Sequence, residues 1–292
     1  MTHSPGSKNF RLAILGCGFM GTALLSGIIK ALGDSPREQI KFSVSAPSQT
    51  SIQRLQQAFS SHRDQVDSIT TDNVDAASGS DIIILAFQPQ QLTGVLSDSA
   101  LLQALQDKLI ISVLAGVSSR QIIEAVYTSS ELTRQSRVSR VIPSIGAQIN
   151  ESASLIAETS LSQSDRDLVA WLFQLVGRTV VVPEELIDTA TAVSAACHAL
   201  TIVAADAIVD GSVAEGIPRP IALDIASQSL RSSASMLQGH ATIESLKDSL
   251  SIAKGITVNA LLQLERGNMR SGISDAVRHA AQYAQAMSSG NE

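Results

Sequence analysis

The sequence predicts an α/β protein in which an N-terminal doubly wound parallel sheet is followed by an all-α C-terminal region. Short β-branched apolar runs alternate with helical patterns from Arg11 to about Ala157, and strands almost disappear after Ser164. Strand–helix alternation at this spacing is typical of a parallel sheet covered by helices on both faces. We therefore expect an α/β domain over residues 1–160 and a helical domain over residues 161–292.

Five apolar runs are the predicted strands. Strands of a parallel sheet that helices cover on both faces are expected to be mostly apolar instead of alternating strictly. The runs are RLAILG, IKFSVSA, DIIILAF, KLIISVLAG and RVSRVI, with a further candidate, TVVV, at 179–182. The later part of the chain shows helical patterns over Asp188–Val213, Pro218–Gln238, Ile243–Leu250, Val258–Arg266 and Ser271–Met287.

Composition limits which binding partners and which cellular location are expected for this protein. The net charge is −6 and the chain has no block of Lys or Arg, which argues against a nucleic-acid or anionic-membrane partner. No apolar run is expected to reach the roughly 18 residues that span a bilayer. The N-terminal MTHSPGSKNF has no apolar leader pattern, and the two cysteines, Cys17 and Cys197, are far apart. We expect a cytoplasmic protein with reduced cysteines.

The segment AILGCGFMGTALLSGI carries the strongest local motif. Gly16, Gly18 and Gly21 form G-x-G-x-x-G directly after the first strand, and Phe19 and Met20 open the helix that follows. The first glycine permits a tight turn, the second lets the backbone approach a pyrophosphate, and the third lets helix and strand pack closely. The helix N-terminus offers free N–H groups to phosphates. The motif predicts dinucleotide binding; the alternative is a glycine-rich turn without a ligand.

The end of the second predicted strand, FSVSAPSQTS, indicates which dinucleotide would bind. Folds that prefer NAD usually place an acidic residue here for the ribose 2′-hydroxyl, and this segment has none. Ser45, Ser48 and Gln49 could instead hydrogen-bond a 2′-phosphate, with Arg54 about one helical turn later. We expect NADP(H) in preference to NAD(H). The alternative is that these are ordinary loop residues and that Ser48 is a helix N-cap.

Segments along nearly the whole chain, from about residue 11 to 286, resemble the pyrroline-5-carboxylate reductase family. The matching segments are LGCGFMGTALLSGI, DIIILAFQPQQL, ISVLAGVSSRQI, VSRVIPSIGAQI, FQLVGRTVVVPEELIDTATAVS, GIPRPIALDIASQSLRSSASML and LLQLERGNMRSGISDAVRHAAQYA. The resemblance implies a Rossmann domain and a helical domain that interlocks between two subunits, as a homodimer or a higher homo-oligomer. It also implies hydride transfer from a nicotinamide cofactor to the carbon of a cyclic C=N bond.

The resemblance places further residues beside the cofactor. Phe87, Gln88 and Pro89 stand where the family has Val-Lys-Pro, so a positive charge is lost. Ala115 and Gly116 match the family's Ala-Gly turn. The family's Met-Pro-Asn after the sixth strand reads Ile-Pro-Ser at 142–144. We expect a nucleotide site to tolerate these changes.

Two changes fall where the resemblance places the substrate. The family's Ser-Gly-Ser-Gly-Pro-Ala helix start reads Ser-Ala-Ala-Cys-His-Ala here, from Ser194, so the second serine is Ala196. The family's Ser-Pro-Gly-Gly-Thr-Thr loop reads Ile-Ala-Lys-Gly-Ile-Thr, from Ile252 to Thr257. The threonine that binds the imine nitrogen in the family is therefore Ile256. We expect a cyclic imine other than pyrroline-5-carboxylate as the small-molecule substrate.

The replacement residues have chemistry of their own. Histidine titrates near neutral pH, so His198 could donate a proton as hydride arrives, and Lys254 could hold a carboxylate or polarise a carbonyl. Cys197 and His198 are not expected to act on each other, because neighbours on a helix point about 100° apart. The candidate catalytic residues are His198, Lys254, Thr257 and Ser194; the alternative for His198 is packing or capping. No ligand spacing for a metal is found.

The start of the long predicted helix carries further polar residues. Glu184 and Glu185 precede it and Asp188 follows one turn later, where a structural or helix-dipole role is expected. Thr191 and Ser194 share a helix face and could bind the nicotinamide amide or the substrate; the alternative is hydrogen bonding within the helix.

Three functions stay open from the sequence. The first is an NAD(P)H-dependent reductase of a non-standard cyclic imine. The second is a dinucleotide-binding protein that has lost reductase activity and serves a non-redox or regulatory role. The third is a genuine pyrroline-5-carboxylate reductase of proline synthesis.

Overall fold

The computed structural model describes residues 8–33, 38–127, 136–239 and 242–288. Residues 1–7, on which the expectation about a leader segment partly rests, lie outside these ranges. The chain divides into two compact units, one comprising Met1–Thr191 with Ala284–Glu292 and the other Ala192–Tyr283. Each unit is described by itself below.

The first unit is built on an eight-stranded sheet with the order β3-β2-β1-β4-β5-β6-β7-β8. The strands are β1 Lys8–Leu15, β2 Glu38–Ser45, β3 Val66–Thr70, β4 Ile82–Leu85, β5 Leu109–Ser112, β6 Val138–Ile142, β7 Ser152–Ala157 and β8 Gly177–Val182. Neighbouring strands are parallel except β6 and β7. The α/β fold class predicted from the sequence is confirmed, with a mostly parallel sheet.

The central strands are buried on both faces, as their continuous apolar sequences predict. In β1, Leu12 and Ile14 enter one apolar core and Ala13 and Leu15 enter the other. All four residues are fully buried. Successive side chains of a strand point to opposite faces, so one apolar run supplies both cores of a doubly wound sheet.

The helices of the first unit cover the two faces of this sheet. They are α1 Phe19–Leu32, α2 Gln49–Ala58, α3 Asn73–Ala77, α4 Leu92–Val95, α5 Ser99–Leu105, α6 Ser119–Val126 and α7 Gln163–Gln174. Several begin at side-chain caps: Asp98 accepts hydrogen bonds from two N–H groups of α5, and Ser118 forms a reciprocal capping box with Gln121 at α6. Such caps satisfy N–H groups that the helix itself leaves unpaired.

Two strands were not predicted from the sequence. The segment of β3, VDSIT, is polar at three of its five positions, and the segment of β7, SASLIA, is rich in Ser and Ala and not in the β-branched and aromatic residues that favour strands. The strand β7 runs antiparallel to β6 because only the short turn Ile145–Ile149 lies between them. A parallel neighbour would need a crossover of a dozen or more residues.

The strand predicted at 179–182 is confirmed as part of β8, which pairs in parallel with β7. Together with α7, these strands extend the first unit to Thr191. The sequence-based boundary lies earlier, at 160/161, where helical patterns replace apolar strand runs.

The second unit is helical. The long helix α8 Ile187–Ala214 begins in the first unit, and α9 Arg219–Gln238, α10 Ile243–Leu250, α11 Ile256–Arg266 and α12 Met269–Ser288 follow. The five helical patterns found in the sequence match these helices to within about two residues at each end. Among its described residues, the apolar core is a small cluster of Val209, Ala222 and Ala226.

The helix α8 is unusually apolar and exposed. Together with the short turn before it, it forms a helical stretch over Glu184–Ala214 that contains an 18-residue window with mean hydropathy 1.8, and 17% of that window is buried within the chain. By length and composition alone such a stretch could cross a membrane. The expectation that no apolar segment reaches this length is therefore wrong, because interspersed alanines keep the hydropathy high despite Ser, Thr and His.

Candidate active site

A cleft of about 520 Å³ opens at the carboxyl ends of β1, β2, β4 and β5. The strands β1 and β4 are neighbours, and the chain order reverses between them. Such a reversal is where open α/β sheets bind their ligands. The residues predicted for the cofactor that line this cleft are Gly16, Gly18, Phe19, Met20, Phe87, Gln88, Pro89 and Ala115.

The three glycines of the motif occupy three different environments. Gly16 has a φ of 78°, and a Cβ placed there would lie 2.5 Å from the Cβ of Phe87. A Cβ on Gly18 would meet nothing closer than the Gly16 carbonyl at 3.8 Å, so the backbone there faces open space. A Cβ on Gly21 would lie 3.1 Å from Ile14. These are the turn, the ligand approach and the helix–strand contact that the motif requires.

The N-terminus of α1 faces the same cleft. Gly18 is the N-cap, and the N–H groups of Phe19, Met20 and Gly21 have no acceptor within the helix. They carry the partial positive charge of the helix dipole, which favours phosphate oxygens. The open space at Gly18 and these N–H groups fit the pyrophosphate of a dinucleotide.

Ser45 contacts the glycine loop. It is buried at the end of β2, where its hydroxyl accepts a hydrogen bond from the Gly16 N–H at 3.2 Å and donates to Asn73 Oδ1 at 2.6 Å. In this arrangement the hydroxyl proton of Ser45 is directed to Asn73, and binding of a 2′-phosphate by Ser45 stays a prediction. Asn73 begins α3 and lines the cleft, and sequence patterns gave no signal for its role.

Ser48, Gln49 and Arg54 lie on or next to α2, which follows β2. Ser48 is the N-cap of α2 and accepts a hydrogen bond from the Ser51 N–H at 3.2 Å. An N-cap was the alternative role that the sequence suggested for Ser48. Gln49 is exposed. The guanidinium of Arg54 reaches the carbonyl of Cys17 at 3.5 Å, which brings a cation to the glycine loop.

The loop after β4 forms the opposite wall. Phe87 is nearly buried and contacts the glycine loop with its backbone, and the Gln88 N–H donates to Gln91 Oε1 at 3.1 Å. After β5, Gly116 takes a φ of 73° beside Ala115. The positive φ reverses the chain directly after the cleft-lining residues.

Cys17 lies beneath the glycine loop and is inert. Burial raises the pKa of its thiol from 9.0 to about 11, against smaller lowering effects of Thr22 and Arg54. Since the thiolate is the nucleophile, a thiol with this pKa does not react at neutral pH.

The predicted residues of α8 do not form a cysteine–histidine pair. His198 is exposed, and its Nδ1 lies 2.8 Å from the carbonyl oxygen of Ser194, one turn earlier on the helix. This contact assigns the proton of the neutral ring to Nδ1 and leaves Nε2 to face outward. The Thr191 hydroxyl donates to the Ile187 carbonyl at 2.7 Å. This is hydrogen bonding within the helix, the alternative to nicotinamide or substrate binding.

Lys254 and Thr257 lie at the start of α11. Lys254 has a φ of 59°, a left-handed conformation that favours glycine, and Gly255 is the N-cap. Ile256, the first residue of the helix, is 91% exposed. The loop presents a cation and an apolar side chain on the surface of the second unit.

One ionic cluster was missed by sequence reasoning. Arg140, on β6, is 1% exposed, and its guanidinium donates to Glu184 at 3.2 Å and to Asp188. The structural role expected for Glu184 and Asp188 thus includes an ion pair with a buried cation. Within the described ranges, no group of three or more His, Cys, Asp or Glu side chains could hold a metal ion.

Comparisons with known proteins agree with this architecture. Residues 184–287 match the family description "Pyrroline-5-carboxylate reductase dimerisation", and residues 11–116 match "NADP oxidoreductase coenzyme F420-dependent". The chain has the fold of a Plasmodium falciparum pyrroline carboxylate reductase solved with NADP bound. That similarity has a TM-score of 0.78 at 24% identity and covers 97% of this chain and 100% of the other.

Two curated relatives match almost end to end. The pyrroline-5-carboxylate reductase of Lophium arboricola is 31% identical over 99% of this chain and 96% of its own length. That of Schizosaccharomyces pombe is 33% identical over 93% of this chain and 96% of its own length. With a pyridine-nucleotide cleft and these relatives, the protein is an NAD(P)H-dependent oxidoreductase acting on CH–NH donors. The chain belongs to the pyrroline-5-carboxylate reductase family.

Proposed function

We propose that this protein is a cytoplasmic, NADPH-dependent reductase of a cyclic imine other than pyrroline-5-carboxylate, and that it works as a homodimer. The observation that carries the proposal is the contrast between two sites. The glycine loop is suited to a dinucleotide, with open space at Gly18, whereas the α11 loop carries an exposed Ile256 after a left-handed Lys254.

The cofactor would be held by the glycine loop, the N-terminus of α1 and the walls formed by Phe87 and Ala115. When bound, a reduced nicotinamide supplies the hydride that converts a C=N carbon into CH. Preference for NADP(H) is supported by Arg54 at the glycine loop and by the lack of an acidic residue over Ala46–Gln49. An acidic residue there would bind the 2′-hydroxyl and repel a 2′-phosphate.

The proton that completes the reduction would come from His198. With Nδ1 held by the Ser194 carbonyl, a protonated ring presents Nε2–H outward as a donor to the imine nitrogen. Lys254 offers a charge for a substrate carboxylate, and Ile256 offers apolar surface in place of a hydroxyl. This combination favours a carboxylated cyclic imine with an apolar substituent or a larger ring, with Ser194 and Thr257 as further polar contacts.

The exposed apolar residues of the second unit support a homodimer. Ile202 and Val203 on α8, Ile221, Leu223 and Ile225 on α9, and Leu262 on α11 are more than half exposed in the single chain. So many large apolar side chains exposed on one helical unit favour a surface that a partner covers. The match to a family dimerisation domain favours a second copy of the chain over a bilayer. Cytoplasmic location is supported by the two free cysteines.

The test is NADPH oxidation by the full-length protein with a panel of five- and six-membered cyclic imines that includes pyrroline-5-carboxylate. We expect the highest kcat/KM on a ring other than pyrroline-5-carboxylate. Highest activity on pyrroline-5-carboxylate itself would instead support a genuine pyrroline-5-carboxylate reductase. Tight NADPH binding without turnover of any imine would support the non-redox alternative.

The role of His198 is tested on the best substrate of that panel. His198→Ala is expected to lower kcat about 100-fold, within the usual range for a general acid, and to leave NADPH affinity unchanged. His279→Ala, at an exposed position on α12, is the matched control. Full activity of His198→Ala would remove His198 from the mechanism.

Cofactor preference is tested by comparing NADPH and NADH binding. Arg54→Ala is expected to weaken NADPH binding about tenfold or more, the effect of losing one charge-assisted hydrogen bond, with little change for NADH. Arg63→Ala, an exposed arginine next to the amino end of β3, should affect neither. Equal losses for both cofactors would contradict a 2′-phosphate contact.

A further inference from the structure

The cluster of Arg140, Glu184 and Ser119 connects the sheet to the turn that lines the cofactor cleft. We propose that Glu184 and Arg140 are positioning residues, which fix the Leu114–Gly116 turn for cofactor binding. This inference rests on the proposed function, because it assumes that the cleft binds NADPH. None of the three residues lines the cleft itself.

The cluster begins with Arg140. A guanidinium that is 1% exposed cannot be solvated by water and must be paired by protein groups. Glu184 and Asp188 supply two carboxylates, with side chains 33% and 23% exposed. Arg140 therefore fixes where the Glu184 carboxylate can sit.

Glu184 connects Arg140 to α6 through hydrogen bonds to Ser119. Its Oε1 accepts the Ser119 N–H at 3.0 Å, and its Oε2 accepts the Ser119 hydroxyl at 3.0 Å. The same carboxylate therefore holds two donors of one residue and the buried cation. Because Ser119 is the first residue of α6, the negative charge also lies at a favourable helix end.

Ser119 is three residues after Gly116, so the hydrogen bonds from Ser119 to Glu184 lie next to the Leu114–Gly116 turn. Val113, Leu114 and Ala115 line the cleft, and Gly116 then reverses the chain with its positive φ. The turn itself is closed by one long backbone hydrogen bond, from Val117 N–H to the Leu114 carbonyl at 3.4 Å. Because this hydrogen bond is weak, the position of Ala115 depends on the contacts that fix the residues before and after the turn.

The test measures NADPH affinity by calorimetry in the full-length protein. Glu184→Gln keeps the shape of the side chain but loses its charge, and we expect it to weaken NADPH binding about tenfold. Glu185→Gln, at the exposed neighbouring position, should stay within twofold of the wild type. A merely structural role would lower the melting temperature of Glu184→Gln without moving the affinity, and that result would overturn the proposal.

A double-mutant cycle sharpens the test. Ser119→Ala removes the hydroxyl that Glu184 holds, so Glu184→Gln combined with Ser119→Ala should weaken binding by less than the product of the two single effects. Independent effects would contradict the link between the two residues.

Amide hydrogen exchange of residues 114–119 in the cofactor-free protein separates this inference from the proposed function. Exchange should be faster in Glu184→Gln and unchanged in Glu185→Gln, and equal exchange in both would overturn the positioning role. A wild-type protein that did not bind NADPH would contradict the proposed function, and exchange would then decide the positioning role alone.

Discussion

The two units of the molecule bury their apolar residues in different ways. The first unit covers both faces of its sheet with its own helices, and residues such as Leu24, Phe42 and Phe173 are almost fully buried. The second unit has long helices whose apolar side chains, among them Ile202 and Val203, are mostly exposed. The first unit thus forms its own apolar core, whereas the second leaves many large apolar side chains uncovered in the single chain, as the proposed homodimer requires.

The largest effect is expected at the glycine loop of the first unit. Gly16→Val would place a β-branched side chain at a positive φ, with its Cβ 2.5 Å from the Phe87 Cβ and 2.6 Å from the Phe87 backbone. We expect loss of about 3 kcal/mol in the free energy of unfolding and at least about 100-fold weaker NADPH binding. Thermal unfolding and calorimetry measure the two effects.

The control is Gly94→Ala, since a Cβ at Gly94 in α4 meets nothing within 4 Å. It should raise the free energy of unfolding by about 0.5–1 kcal/mol, because alanine favours the helix over glycine, and it should leave NADPH binding unchanged. Normal cofactor binding by Gly16→Val would contradict the role given to the glycine loop.

A comparable effect on assembly is expected in the second unit. Ile202 is 69% exposed in the single chain, so Ile202→Lys would be harmless in a monomer. In a dimer that covers this residue, it would place an unpaired charge in an apolar interface, at a cost of about 3 kcal/mol or more. We expect the mass measured by light scattering to fall to that of one chain.

Gln57→Lys adds the same charge at an exposed polar position of the first unit and should leave the mass unchanged. An unchanged mass for Ile202→Lys as well would show that the α8 surface around Ile202 is not the interface.

The smallest effect is expected from relief of backbone strain, and this effect is expected to differ between the two units. Lys254 holds a left-handed φ of 59° in the second unit, and Lys254→Gly should stabilise the protein by about 0.5–1 kcal/mol by relieving that conformation. Asn150 has a similar φ of 60° in the first unit, but its side chain donates to the carbonyls of Gly27 and Leu175, both at 2.7 Å.

Asn150→Gly is therefore the matched comparison, and it should destabilise the protein by about 2 kcal/mol through loss of two hydrogen bonds. Denaturant unfolding measures both variants. A destabilised Lys254→Gly would mean that the Lys254 side chain makes a stabilising contact in the assembled protein.

The sequence by itself determined the features that depend on local patterns. The central strands were found because a strand covered on both faces must be apolar at every position, as in IIIL of β4. The glycine loop was found because its three glycines meet steric demands within one strand–turn–helix unit. The helices of the second unit were found from their apolar pattern, although that pattern did not indicate how little of it the chain itself covers.

Only the tertiary structure decided the features that join distant segments. Arg140 meets Glu184 and Asp188 across more than forty residues, and nothing in the three local sequences indicates that one buried cation needs both carboxylates. The hydrogen bond from Ser45 to Asn73, the first residue of α3, was likewise not indicated by the sequence around either residue. Hydrogen bonds and ion pairs are short-ranged and directional, so their partners are fixed by how the strands assemble and not by spacing along the chain.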